Sequence, residues 1–438
     1  MDIFFLRKKP PSWEMCSLEH CCIMISDTCN PETANNMPYL GLEHLASCFP
    51  ALVGVGDPSQ VRSTKTRFHE RDILYGKLRP YLQKAVLAPF AGICSTDILV
   101  LRTKKSILPE FFTYLVHSQQ FVEHAKATTS GVNHPRTSWN KLKPYVVPLP
   151  PLPEQRRIAS VLSLVQRAIE QQDRLIALTT ELKKALMHKL FTEGTRGEPQ
   201  KETQIGLIPE SWDLVELQTT GDVVYGIQAS VANNFEPVGT KILTNKNINL
   251  EGRFDLDKIN YFELRTKRHY QTILRKGDLL FNWRSGSKEH VGKTAYFDLD
   301  GEYTHSSFIL RIRPKESVNS RFLYHFFNWL RESGYFMKLQ TYAVNAKFNK
   351  SAVNALPIAK PSVEEQSEIA GAVDIVIYYG DIAKRRKDAL NDLFRTLLHQ
   401  LMTAEVRVND LDLEELGIHN LELGIRNLES KVGGADDN

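Results

Sequence analysis

Pro148-Leu149-Pro150-Pro151-Leu152-Pro153-Glu154-Gln155-Arg156-Arg157-Ile158-Ala159 separates two kinds of sequence in the first half of this chain. Proline lacks a backbone N–H and disfavours helix in the residue before it, so no helix is expected ahead of Glu154. Between Glu154 and Glu193 there is no proline or glycine. Ile158, Val161, Leu162, Val165, Ala168, Ile169, Leu175, Ile176, Leu182, Leu186 and Leu190 recur at the a, d and e spacing of a packed helix. Gly194 and Gly197 should end it. At 1.5 Å per residue such a helix is roughly 55–60 Å long.

The pattern occurs twice. Glu154-Gln155-x-x-Ile158-Ala159 returns as Glu365-Gln366-x-x-Ile369-Ala370, and Leu186-x-His188-x-Leu190-x-Thr192 as Leu397-x-His399-x-Leu401-x-Thr403, both offset by 211 residues. Upstream, at offsets that drift between 199 and 211, Ser12-Trp13-Glu14 answers Ser211-Trp212-Asp213, Arg71-Asp72-Ile73-Leu74-Tyr75 answers Lys276-Gly277-Asp278-Leu279-Leu280-Phe281, and Pro109-Glu110-Phe111-Phe112 answers Ser320-Arg321-Phe322-Leu323. Gly371 and Gly380 weaken the second helix and are expected to bend it. A lone amphipathic helix this long needs a partner for its stripe, so the two helices are expected to pair antiparallel about a pseudo-twofold axis. Packing of each helix on its own domain is the alternative.

The reading is of an α+β chain: globular segments at 1–150 and 205–360, long helices at 151–195 and 361–404, and a flexible acidic tail at 405–438. Strands are expected at Ile98–Leu101 and Phe308–Ile312, and helices at Pro109–His117 and Ser320–Leu330. Of the net charge of +4, the tail contributes −6, which leaves +10 on residues 1–404 and permits nucleic acid as a partner. All six cysteines (Cys16, Cys21, Cys22, Cys29, Cys48 and Cys94) fall in the first hundred residues. Their spacing fits zinc templates poorly, so they read as buried free thiols, and no metal is assigned. No stretch is long and apolar enough for a membrane span or a signal, and a cytoplasmic location is expected.

Ser287-Lys288-Glu289-His290-Val291-Gly292-Lys293-Thr294 imitates a phosphate-binding P-loop, but a strand and turn, not a helix, should follow it. Gly54-Val55-Gly56 is followed by Asp57-Pro58, which blocks a helix start. With no metalloprotease, serine-hydrolase, methyltransferase or nuclease string, the chain is read as non-catalytic with no cofactor of its own. Two globular parts held apart by paired helices would form a ruler with a reader at each end. The major groove returns to one face of DNA every ~34 Å, so such a ruler suits a two-part site. A coiled-coil scaffold binding proteins at its ends is the rival reading, and a self-sufficient enzyme is a second.

Pro148 to Ala159 resembles the motif that opens the central helix in specificity subunits of type I restriction–modification enzymes. Gly277-Asp278-Leu279-Leu280-Phe281-Asn282-Trp283-Arg284 and Tyr39-Leu40-Gly41-Leu42-Glu43-His44-Leu45 are similar to strings of that family's target-recognition domains. The likeness spans roughly 9–404. Pro357-Ile358-Ala359-Lys360-Pro361 is a degraded copy of the proline motif, and the acidic tail lies outside the likeness. The resemblance implies two target-recognition domains in tandem, separated by antiparallel coiled-coil helices, that bind an asymmetric bipartite site in double-stranded DNA. It implies two adenine-N6 methyltransferase subunits and restriction/translocase subunits as partners, the former using S-adenosylmethionine and the latter ATP with Mg²⁺.

Phosphate contacts call for Lys or Arg on loops, and base contacts for side chains that reach groove edges. The first-half candidates are Arg62, Lys65 and Arg67; Lys77 and Arg79; and Asn133, His134 and Arg136. In the second half they are Asn245, Lys246 and Asn247; Asn282, Trp283, Arg284, Ser285 and Lys288; and Asn345 and Lys347. Glu154, Gln155, Glu365 and Gln366 read as helix-start residues that accept free backbone N–H groups. The resemblance offers a contact with the methyltransferase subunits as their alternative role.

Overall fold

The computed structural model describes residues 10–33, 37–228, 238–285, 287–342 and 349–411. The long helices run Leu152–Glu193 and Val363–Met402. The first begins two residues before the expected start, with Pro153 inside its first turn, where a missing N–H costs no intrahelical bond. Gly194 and Gly197 both lie at φ +66°, a left-handed conformation that ends the helix region with little strain in glycine. The second helix continues through Gly371 and Gly380. A side chain at Gly380 would come within 3.1 Å of the Thr179 hydroxyl, so the glycine admits close packing against the first helix.

The chain divides into two compact units, residues 1–174 with 384–438, and residues 175–383. Each takes one globular segment and part of both long helices, so the units cut across the segments read from the sequence. Within the first unit Glu154 binds Arg407 and Asp173 binds Lys387. Within the second, Thr179 lies against Gly380 and Thr195 binds Glu365. Numbers rise in one helical region as they fall in the other, so the helices pair antiparallel in each unit. Only parts of the stripes serve as core: Leu162, Val165 and Ile169 share the first unit's core with Phe394, Leu397 and Leu401, and Met187, Leu190 and Phe191 share the second's with Ile369 and Val373, whereas Leu175 and Leu182, expected in the packed stripe, are exposed.

The globular segments repeat one scaffold. In the first unit a four-stranded antiparallel sheet has the order Cys22–Ile25, Ile98–Thr103, Ile73–Gly76, Ala85–Leu87. The second unit repeats it as Gly221–Tyr225, Ile309–Pro314, Leu279–Asn282, Thr294–Tyr296. Each has a smaller sheet containing a parallel pair, Tyr39–Leu40 with Gly92–Cys94 and Thr240–Leu243 with Tyr303–His305. Helices Pro109–Leu115 and Ser320–Glu332 occupy the expected places. Buried Asp72 accepts two hydrogen bonds from Arg102, at 2.7 and 2.8 Å, and buried Asp278 two from Arg313, both at 2.7 Å. The repeated aspartate therefore pins the same strand in both copies.

The strand following each tryptophan closes onto the segment leading into a long helix. Glu14–Ser17 pairs with Val146–Leu149, and Asp213–Glu216 with Pro357–Lys360. The degraded proline motif thus forms the same strand as the complete one. Cys21, Cys22, Cys29 and Cys94 are buried as expected, but Cys48 is exposed and Cys16 half-buried. The tail boundary also shifts, because Val408 is buried in the first unit's core.

Candidate nucleic-acid interface

In the first unit the chain leaves strand Ile73–Gly76 through Lys77-Leu78-Arg79, and Arg79 takes a left-handed φ of +51°. This turn is stitched to the loop 130–136: Arg79 N donates to Pro135 O at 2.7 Å, and Thr137 N to Lys77 O at 3.0 Å. Ser130 and Arg136 exchange backbone hydrogen bonds, which sets Gly131, Asn133 and His134 at an exposed tip. Arg136 also pairs with Asp97, whose carbonyl accepts from Lys77 N. Lys77, Arg79, Asn133, His134 and Arg136 are thereby gathered on one rim, from positions more than fifty residues apart.

The Arg62–Arg67 string fares differently because Lys65–Phe68 is a strand of the smaller sheet. Arg62 is exposed and Arg67 half-exposed, 3.7 Å from Asp27. Lys65 is buried: its Nζ donates to the carbonyl and hydroxyl of Ser63, both at 2.7 Å, above the Tyr39 ring. Burial pulls its pKa down. It is a structural cation rather than a loop charge.

In the second unit the equivalent turn is Trp283-Arg284-Ser285. Trp283 Nε1 donates to Ser307 O at 2.7 Å and its ring meets Tyr225 edge-on, which leaves Arg284 exposed over Phe308. Lys288 is exposed, and Ser285 half-buried. Asn282, expected among the contacts, is instead fully buried at the strand end and donates to His290 O. Asn247 is also inside. It accepts from Thr244 N and donates to Asp255 O and Lys258 O, each at 2.9 Å, knotting the single turn Asn245–Asn247. Lys246 on that turn is exposed and Asn245 half-buried. Asn345 and Lys347 lie outside the described residues. The P-loop-like Lys293 is spent on the carbonyls of Asn245 and Ile248, and the strand Thr294–Tyr296 follows it.

Glu154, Gln155, Glu365 and Gln366 are all buried. They do not take up free helix N–H groups, and they present no surface to a partner. Glu154 accepts from Trp13 Nε1 at 3.0 Å and from Arg407 at 2.8 and 2.9 Å. Glu365 accepts from Trp212 Nε1 at 3.2 Å and from Thr195 N at 2.8 Å. Gln155 accepts from Leu108 N and donates to the carbonyls of Ser106 and Pro150; Gln366 does the same with Asn319, Ser317 and Pro361. The pairs weld each globular segment to its helix. Their spacing shows that they matter, but only tertiary packing shows to whom they bind.

Two exposed features were not singled out from the sequence. Tyr81 stands out beside Arg79, and the single turn Lys267–Tyr270 presents three basic residues and exposed Tyr270. The run Lys267-Arg268-His269 was a compositional signal for the latter. Besides His325, whose Nε2 meets the Asp374 carboxylate at 2.8 Å, two histidines are buried against backbone carbonyls: His117 Nε2 meets Ala85 O and His305 Nδ1 meets Ile309 O. Burial pushes them down to about 4 and about 3, so both are neutral at pH 7.

The profile of the type I restriction modification DNA specificity domain matches residues 14–180 and again 209–392. The chain belongs to this family and carries the domain twice. It is 26% identical over 332 residues to the type I restriction enzyme MjaVIII specificity subunit of Methanocaldococcus jannaschii, covering 73% of this chain and 76% of that one. It is 27% identical over 199 residues to the EcoDI specificity subunit of Escherichia coli, covering 43% of each. The fold resembles that of the type I restriction–modification S subunit from M. genitalium, with a TM-score of 0.59, 14% identity and coverage of 90% and 96%. A chain from a study of type I R-M assembly and conformational transition gives 0.55, 20% identity and coverage of 90% and 98%.

Proposed function

We propose that this chain is the non-catalytic DNA-recognition subunit of a type I restriction–modification assembly, reading an asymmetric bipartite site with target-recognition domains at 1–150 and 205–360. One observation carries this reading: two copies of one scaffold present different side chains at the same strand end. Lys77-Leu78-Arg79 in the first copy stands where Trp283-Arg284-Ser285 stands in the second. A repeated frame with unlike reading edges suits two unlike half-sites.

Arg62, Lys77, Arg79, Asn133, His134 and Arg136 contact one half-site, and Lys246, Trp283, Arg284, Ser285 and Lys288, with Asn345 and Lys347, contact the other. Clustered cations supply phosphate affinity, while the Asn and Arg side chains can reach base edges. Two methyltransferase subunits bring S-adenosylmethionine, and restriction subunits bring ATP with Mg²⁺, in the cytoplasm. Since the Glu–Gln pairs are buried, the partner contact is assigned to the exposed stripe Leu175, Leu178 and Leu182, three apolar side chains on one helix face with 40%, 61% and 54% exposure.

The test is adenine methylation mapped in host DNA with and without this gene. A single asymmetric two-part motif should lose methylation when the gene is removed. Unchanged methylation would exclude the reading.

A further inference from the structure

The strand Glu14–Ser17 runs into the single helical turn Leu18–Cys21, and the chain then enters the main sheet of the first unit at Cys22. This return brings two thiols into contact. The Cys21 S–H donates to the Cys16 sulfur at 3.1 Å. A disulfide is about 2.05 Å long, so a closing movement of about 1 Å would join them. Cys22 is engaged elsewhere, its thiol donating to Leu18 O at 3.4 Å within the core. Cys16 is half-buried, while Cys21 and Cys22 are fully buried. Burial and then the hydrogen bond with Cys16 raise the Cys21 pKa, and burial pushes Cys22 up to about 12. Both are therefore thiols at neutral pH, and Cys16 is the sulfur of the three that solvent reaches.

The fold does not call for sulfur at these places. The 199-residue offset from Trp13 to Trp212 carries Cys16, Cys21 and Cys22 onto Val215, Thr220 and Gly221. The second copy has the same order of strand, four-residue turn and strand there. Thr220 is buried like Cys21 and places its hydroxyl on Leu217 O.

We propose that Cys16 and Cys21 form a redox site, a dithiol that a peroxide converts reversibly to an intrachain disulfide. The Cys16 thiolate attacks one peroxide oxygen and breaks the O–O bond, giving a sulfenic acid and hydroxide. That hydroxide takes up the proton lost by Cys16. The Cys21 sulfur then attacks the Cys16 sulfur, and the expelled hydroxide leaves with the Cys21 proton as water. Two thiols lose two electrons and the peroxide gains them, leaving one disulfide and two waters. The bond ties the strand whose Cys16 lies opposite Val147, just ahead of the first long helix, to the turn that follows it. Pairs of this kind in reducing compartments are usually transient and redox-sensing.

The test treats the folded full-length chain, reduced with dithiothreitol and desalted, with hydrogen peroxide. Remaining thiols are alkylated in guanidinium, and the chain is cut after glutamates and mapped by mass spectrometry. Cleavage after Glu19 separates Cys16 from Cys21, so a linked pair of peptides reports the bond. The expected product is a Cys16–Cys21 link, with Cys22 still alkylated, that dithiothreitol reverses. Cys22→Ser should keep the link. Cys16→Val and Cys21→Thr, which install the second copy's residues, should abolish it while the reduced protein melts as the parent does. No Cys16–Cys21 link, overoxidation of Cys16 in its place, or a link that depends on Cys22 overturns the proposal. The experiment needs neither DNA nor partner subunits, so its result is independent of the proposed function.

Discussion

Trp13 donates its indole N–H to the carboxylate of Glu154 at 3.0 Å, a buried bond across 141 residues of sequence. It joins the first strand of the first unit to the first turn of the long helix. Trp212 and Glu365 repeat it in the second unit at 3.2 Å. One residue pair, used twice, sets how a reading domain leaves its helix.

Glu154→Ala should destabilise the first unit by about 3 kcal/mol, since it strips a buried indole and Arg407 of their acceptor. Glu154→Gln keeps an acceptor for Trp13 and should cost less. Urea unfolding followed by tryptophan fluorescence measures both, and equal losses would show that the bond carries no weight.

Stability should fall as pH drops below about 6.5, the ordinary histidine value. His117 and His305 have folded pKa values lowered by burial to about 4 and about 3, so the unfolded chain binds more protons between those values and 6.5. Their contribution is present above that window and is lost through it. His117→Gln should flatten the decline in thermal melts between pH 6.5 and 4; an unchanged profile would remove His117 from the account.

Lys246→Ala and Asn247→Ala should separate binding from folding on adjacent residues. The first should weaken DNA binding and reduce the salt slope by about 0.9 if it loses one phosphate contact. The second breaks the knot that holds the Asn245–Asn247 turn and should cost about 2 kcal/mol of stability. Filter binding across salt concentrations and thermal melting read the two effects; a reversed pattern would move Asn247 to the interface.

Arg284→Ala should relax base preference in one half-site only, with a discrimination loss of about 1–3 kcal/mol if the guanidinium meets a base edge. Methylation mapping of the variant checks it. Loss of preference in both half-sites would mean a folding defect rather than a reading defect.

Leu178→Ser with Leu182→Ser should leave melting unchanged, since both side chains are exposed, yet weaken co-purification with the methyltransferase subunits. Intact assembly would assign the partner surface elsewhere.

Much of this architecture was legible in the chain because it rests on local periodicity and on repetition. The helix stripes, their 211-residue offset, the proline boundary and the strands around Ile98 and Ile309 follow from backbone sterics and side-chain spacing, which act within a few residues. Tertiary structure decided which polar residues are free. Lys65, Asn247 and Asn282 have the composition of groove-reading residues, yet each is closed in by its own sheet or turn. Glu154 and Gln155 stand at a helix start, but long-range partners at Trp13, Leu108 and Arg407 take them. A side chain's type shows what it can bind. Whether it meets water, DNA or its own protein depends on contacts with residues tens to hundreds of positions away, and only folding brings those together.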